Sequence, residues 1–154
     1  MSSRRRSRQR ALQILFLWDA HRQPVDAAID AYYDSIYWEQ RPERDPFVRL
    51  LVEGTIEHLA EVDELIARHA EHWRMERMPA VDRNILRMAV YEMTHGNTPA
   101  AVTIDEALEL ARKFSAEESV QFVNGVLDAI NRGREPDTAN PSLNPAGRQT
   151  RLKE

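Results

Sequence analysis

Three histidines and a glutamate are the residues with the clearest capacity to bind a metal ion. His69 and His72 are three residues apart on a predicted helix, so both could face one ion, with Glu71 between them and His58 further back. No HExxH pattern and no third ligand at a recognisable spacing accompanies the pair. A hydrogen-bonded position in the core explains His69 better. We therefore predict neither a metal site nor a cofactor.

The sequence contains no arrangement of residues typical of an enzyme. It has no cysteine, which excludes thiolate chemistry and a disulfide framework. With only five glycines, it has no glycine-rich phosphate loop, and no GxSxG motif occurs. Its carboxylates lie on helix faces predicted to be solvated. We therefore expect no catalytic activity.

Aromatic and basic residues flank one predicted turn near the carboxyl end. Lys113 and Phe114 end one helix, and Phe122 lies early in the next. Aromatic rings beside a cation suit single-stranded RNA, whose unstacked bases can lie on them. The alternative is that the two rings only fill the corner between the helices, and the pattern alone leaves both open.

Charge is distributed unevenly along the chain. Residues 1–23 have a net charge of +5 and residues 24–133 a net charge of −10, whereas residues 134–154 have +1. A basic end on an acidic body is typical of a nucleic-acid-binding arm. A solvated arginine tail that only keeps the protein in solution would give the same pattern.

Hydrophobic periodicity predicts helices along the chain and no strands. The first helix ends near His21, and Pro24 starts a second that runs to about Trp38. The periodic run 46–73 would span about 42 Å if unbroken, so a break is expected near Gly54.

The second half is predicted to begin with a helix capped by Asp82. Two further helices follow, each with a capping-box pattern. The pairs are Thr103 with Glu106 and Ser115 with Glu118. Gly125 lies inside the last helix at a cost of about 1 kcal/mol relative to alanine, so either another helix or a ligand is expected to approach it.

The predicted fold is all-α, a bundle of six to seven helices in two three-helix halves. The halves cover about residues 1–77 and 78–133 and form a single domain, 1–133. Residues 134–154 are too polar to build a core and are predicted to be a disordered tail. No apolar run approaches the roughly 18 residues of a membrane span and no signal peptide is evident, which favours a cytoplasmic protein.

Several motifs, in order, resemble those of the bacterial NusB antitermination family over roughly residues 4–132. The most specific lie in the second half, and the arginine-rich start leading into RALQILFLW resembles the first helix of that family. The second-half motifs are RNILRMAVYE (83–92), IDEA (104–107), ARKF (111–114) and FVNGVLD (122–128). Two departures from the family pattern are Asp105, where Asn is usual, and Ser115, where Gly is usual.

This resemblance implies a non-catalytic, all-helical protein in two halves. It further implies binding of the boxA segment of nascent ribosomal RNA leaders together with the ribosomal protein NusE. The pair would help to load an antitermination complex on RNA polymerase. Some family members are thought to form homodimers.

The resemblance also implies individual roles for residues. Asp82 would pair with NusE. The implied RNA-binding residues are Arg4, Arg5, Arg6, Arg8, Arg10, Phe16, Lys113, Phe114, Glu118 and Phe122.

Two other functions fit a helical chain of this kind. One is the RNA-positioning module of an rRNA cytosine-5 methyltransferase, which would require a Rossmann-like domain after residue 154. The other is a helical protein-interaction bundle or homodimer that does not bind RNA directly. Nucleic-acid binding measured at two salt concentrations would separate the second from the RNA-binding prediction.

Overall fold

Seven α-helices and one short 3-10 turn make up the part of the chain that the computed structural model describes, residues 3–35 and 43–138. No strand occurs within these ranges, and the predicted all-α fold is confirmed. The predicted end of the second helix at Trp38 lies outside them. The helices are α1 (Arg4–His21), α2 (Val25–Asp34), α3 (Pro46–Glu57), α4 (Leu59–His69), α5 (Ala80–His95), α6 (Ala100–Phe114) and α7 (Glu117–Thr138), and Met75–Arg77 form the 3-10 turn.

The arginine-rich start belongs to α1. The Ser3 hydroxyl accepts a hydrogen bond from the backbone N–H of Arg6, which satisfies one unpaired donor at the helix start. The helix ends at Arg22, which has a left-handed backbone with φ of 54°. The arginines from Arg4 onward are therefore held at fixed angles around a helix.

The predicted long helix is broken, as its length required. His58 departs from helical geometry (φ −103°, ψ 22°) and separates α3 from α4, four residues after Gly54. The first half thus has four α-helices where three were predicted. Gly54 has a packing role, because a Cβ atom added there would lie only 2.1 Å from Cζ of Tyr91 on α5.

Prolines mark the starts of three helices, as predicted for Pro24 but in place of the side-chain caps predicted for the other two. Pro24, Pro79 and Pro99 directly precede α2, α5 and α6, and each has an extended ψ. Proline has no backbone N–H and a fixed φ, so it suits the entry to a helix. The capping roles predicted for Asp82 and Thr103 are consequently wrong, since both residues lie inside helices.

Two predictions about the last helix are corrected. No atom outside the helix lies within 4 Å of a Cβ built at Gly125, so no neighbouring helix packs against it, and the alternative that a ligand approaches it stays a prediction. The helix α7 continues to Thr138, so residues 134–138 do not belong to the predicted disordered tail. Residues 139–154 lie outside the described ranges.

The central element is α5, which is buried on nearly every face from Asn84 to Met93. It packs against α1, α3 and α4 from the first half and against α6 and α7 from the second. The polar side chains that it buries, Asn84, Arg87 and Glu92, are all hydrogen-bonded, as burial requires. The two predicted halves therefore share one apolar core, although their cooperative unfolding as a single domain 1–133 stays a prediction.

Charged residues join α1 to α5 at both ends. Near the start of α1, Arg8 Nε donates to Glu92 at 3.0 Å, and both side chains are buried. Near its end, Asp19 accepts hydrogen bonds from Arg83 and Asn84. Burial opposes the charge of Asp19, but the hydrogen bond from Arg83 and the charge of Arg87 outweigh it and lower the pKa of Asp19 to about 2.

Among the described helices, none combines the length and the apolar character needed to cross a bilayer.

Candidate nucleic-acid interface

The predicted arginine arm divides into paired and unpaired side chains. Arg5 forms a two-point hydrogen bond with Glu106 on α6, with N···O distances of 3.2 and 3.0 Å. This hydrogen bond, against some burial of the carboxyl group, lowers the pKa of Glu106. Arg8 is committed to the buried pair with Glu92. Arg10 is 7% exposed, beside Tyr32. These side chains are not equivalent ligands for phosphate.

Two guanidinium groups at the start of α1 face solvent and form no ion pair with a carboxylate of the described residues, although Arg4 interacts electrostatically with Asp45. Arg6 is exposed, and its side chain makes no ion pair within the described residues. Arg4 is also exposed and lies over the Phe47 ring, 3.9 Å from its centroid. A cation over an aromatic face keeps its full charge available to an anion. Arg4 and Arg6 are thus the members of the arm most available to phosphate.

Phe16 and Phe114 line one apolar groove of about 340 Å³, between α1, α2 and the adjoining ends of α5 and α6. Phe16 is 41% exposed, whereas Phe114 is partly buried against the core. The Lys113 ammonium lies 5.8 Å from the centroid of the Phe114 ring. Phe16 of α1 and Phe114 of α6 therefore line the same groove, and Lys113 lies beside Phe114.

Phe122 has a different neighbour. Its ring lies 5.5 Å from that of Trp73, centroid to centroid, with the planes tilted by 55°. It is partly buried, while Glu118, one turn earlier on α7, is exposed. Phe114 and Phe122 are both partly buried against the core, so base stacking and a role that only fills the corner both stay predictions.

Asp82 and Ser115 have roles that the sequence did not indicate. Asp82 is 3% exposed and accepts hydrogen bonds from Ser115 Oγ and, at 2.6 Å, from Ser119 Oγ. The Ser115 hydroxyl therefore ties the corner between α6 and α7 to the first turn of α5, and the predicted capping box with Glu118 is wrong. The predicted contact of Asp82 with NusE stays a prediction, and its carboxylate is already occupied within the protein.

Sequence reasoning missed Trp73, which was assigned to the inner face of the long helix. It is 50% exposed because α4 ends at His69, so the helical spacing no longer applies. The histidines do not converge on a common point: Nδ1 of His69 donates to the carbonyl of Leu65, and Nδ1 of His58 to that of Gly54. Within the described ranges, no group of three or more potential ligands is arranged to hold a metal ion.

Comparison with known proteins places these features in a family. The NusB family model matches residues 5–132. A transcription antitermination protein NusB from Solibacter usitatus is 75% identical over 142 residues, which cover 92% of this chain and 97% of the relative. The NusB protein of Salinispora arenicola is 44% identical over 84% of this chain and 96% of its own length.

Solved structures show the same relationship. NusB of T. maritima superposes with a TM-score of 0.73 at 35% identity, covering 85% of this chain and 92% of that one. A crystal structure of antitermination factors NusB and NusE in complex with dsRNA contains a chain with a TM-score of 0.73 at 25% identity, covering 84% and 96% of the two chains. Because the family model matches most of the sequence and the relatives align over nearly their whole length, this chain belongs to the NusB family.

Proposed function

We propose that this chain is a non-catalytic, RNA-binding transcription antitermination factor of the bacterial cytoplasm. It binds boxA-type single-stranded leader RNA together with the ribosomal protein NusE and supports ribosomal RNA transcription within the antitermination complex on RNA polymerase. The observation that carries the proposal is a set of exposed, unpaired cations at the start of α1 together with an aromatic groove near its other end, where Lys113 lies beside Phe114, on an otherwise acidic protein. The solved complex of related NusB and NusE with dsRNA supports the partners.

Phosphate binding is assigned to the cations that form no ion pair with a carboxylate of the described residues. Arg4, Arg6 and Lys113 would neutralise three phosphates, which corresponds to a salt slope of about −2 for single-stranded RNA. Arg5 could join them, because its pair with Glu106 is exposed on the arginine side and an exposed pair is worth little in water. Phosphate contacts hold the strand in place but do not read its sequence. Arg8 is not assigned to this interface because its guanidinium is buried.

The geometry of α1 connects the phosphate-binding residues to the aromatic rings. Arg5 and Phe16 are eleven residues apart, which is close to three full turns, so they project from the same face about 16 Å from one another. Glu106, the partner of Arg5, and Phe114, the neighbour of Phe16, lie on α6 in the same order. A strand running along α1 and α6 would meet cations at one end and stacking surfaces at the other.

Asp82 is buried and positions residues of the proposed interface through hydrogen bonds. By holding Ser115 and Ser119, it fixes the corner that presents Lys113 and Phe114. We propose that any effect of Asp82 on NusE binding is transmitted through this corner.

The test is a titration of boxA-like RNA against a scrambled RNA, with and without the NusE homologue, at two salt concentrations. Phe114→Ala and Phe122→Ala should each weaken binding by about 1–3 kcal/mol if the rings stack bases. Leu59→Ala is the matched control, since Leu59 of α4 is partly buried like the two rings and lines neither the groove at Phe114 nor the cavity at Arg4 and Arg5.

Equal affinity of the wild-type protein for both RNAs, or no binding at either salt concentration, would refute the proposal. The second result would favour the protein-interaction bundle or homodimer.

A further inference from the structure

The segment between α4 and α5 exposes an aromatic ring that the interface described above does not use. Trp73 is 50% exposed, and its ring packs at 5.5 Å against Phe122 of α7. The segment is anchored on both sides of the ring. The backbone N–H of Trp73 donates to the carbonyl of Ala70. Further along, the side chain of Arg83 donates to the carbonyls of Met75 and Met78. The indole is therefore held in place at the surface by an ordered backbone.

Two cations accompany this ring. Arg74 and Arg77 are exposed, and neither side chain forms an ion pair or hydrogen bond with the described residues. Most other exposed arginines in these ranges are neutralised by a nearby acid, as in the pairs Arg68–Glu64 and Arg112–Glu109. Unpaired arginines beside an exposed indole are unusual on a protein whose body is strongly acidic.

The acidic residues near this segment are also exposed. They are Glu71 and Glu76 on the segment itself and Glu118 on α7, one turn before Phe122. None of them forms an ion pair with Arg74 or Arg77 in the described structure. The two guanidinium groups thus retain their hydrogen-bond donors for an external anion.

We propose that Trp73, Arg74 and Arg77 form a second contact for single-stranded RNA, which extends the proposed strand path from α6 and α7 onto the segment before α5. One base stacks on the Trp73 ring, which Phe122 supports from behind, and the two arginines bind flanking phosphates. Aromatic faces beside guanidinium groups are the usual chemistry of sequence-tolerant single-strand binding. This inference rests on the proposed RNA-binding function and adds residues to it.

The stacking part is tested with Trp73→Ala and Trp73→Phe. Trp73→Ala should weaken the affinity for a boxA-like RNA by about 5- to 150-fold, because one stacked base is lost. Trp73→Phe should retain most of the binding. In a Trp38→Phe background, RNA should quench tryptophan fluorescence, and adding Trp73→Phe should remove most of that signal, since the remaining Trp18 is only 6% exposed. Circular dichroism of each variant checks that the fold is retained.

The phosphate part is tested with the double variant Arg74→Gln/Arg77→Gln. Its salt slope should become shallower by about 1.4, the value for two phosphates on a single strand. The matched control is Arg44→Gln/Arg49→Gln, which removes the same charge from arginines paired with acids of α2 and α3, outside the proposed strand path, and should leave the slope nearly unchanged.

The outcomes separate this inference from the proposed function. If the wild-type protein binds RNA and all the Trp73 and Arg74/Arg77 variants bind equally well, the second contact is wrong while the proposed function stands. If Trp73→Ala weakens only the binding of the NusE homologue, measured without RNA, and leaves RNA binding unchanged, the surface binds protein and the inference is overturned. If the wild-type protein binds no RNA, the proposed function itself fails.

Discussion

Two glycines in helix interiors should respond to alanine with opposite signs. At Gly54, an added Cβ would lie 2.1, 2.2 and 2.5 Å from atoms of the Tyr91 ring. That ring is 7% exposed and packs against the neighbouring rings of His58 and His95, at 5.6 and 5.7 Å, so an added Cβ would displace it from these contacts. At Gly125, nothing outside the helix lies within 4 Å.

The expected magnitudes follow from two opposing effects. Replacing glycine by alanine inside a helix stabilises it by about 1 kcal/mol. Overpacking a core typically costs about 1–3 kcal/mol, and contacts this short place Gly54 at the upper end. Gly54→Ala should therefore lower the free energy of unfolding by about 2 kcal/mol, whereas Gly125→Ala should raise it by up to about 1 kcal/mol.

The assay is urea denaturation followed by far-UV circular dichroism, with both variants measured beside the wild-type protein. A single transition with an unchanged slope on urea is expected, because α5 packs against both halves. Shifts of the same sign in the two variants would contradict the packing described for Gly54. Affinity of Gly125→Ala for RNA and for the NusE homologue should be unchanged, and a tenfold loss would instead show that a ligand approaches Gly125 closely.

Three further predictions concern charge. Asp19 has a folded-state pKa of about 2, below its usual value of 3.8. Its contribution to stability is therefore present above about pH 4 and is lost as the pH falls towards 2. Asp19→Asn should flatten this part of an acid denaturation curve. Glu92→Gln leaves the buried Arg8 guanidinium without its counter-charge and should destabilise the protein by about 3–5 kcal/mol in thermal or urea unfolding. Arg6→Gln should make the salt slope of RNA binding shallower by about 0.7 without changing stability, and an unchanged slope would remove Arg6 from the interface.

The helical architecture was predictable because apolar spacing is a strong local signal. The break in the long run 46–73 followed from its length, but it falls at His58, four residues after Gly54, where the sequence has neither glycine nor proline. The starts of α5 and α6 were misplaced because Asp82 and Thr103 were read as caps. Pro79 and Pro99, three or four residues earlier, were the more reliable signals.

Charge pairing was the least predictable part of the candidate site. Five arginines near the start were treated alike, although Arg8 lies on the same stripe of α1 as Ala11 and Leu15, so its burial was visible in the spacing. Its partner Glu92 is eighty-four residues away in the sequence, and local patterns carry no information about such a pairing. For the same reason, the sequence could not show that Arg74 and Arg77 lack partners.

The capped first turn of α1 has a consequence for how quickly a transcript is captured. A flexible basic tail would lose conformational entropy on meeting RNA and would also fold back onto the acidic body. Here Ser3 closes the helix start and the buried Arg8–Glu92 pair anchors it, so the outward guanidinium groups are preorganised before any encounter. Complex formation should thus leave the far-UV circular dichroism of the protein unaltered, with capture governed by diffusion and ionic steering and no folding step in between.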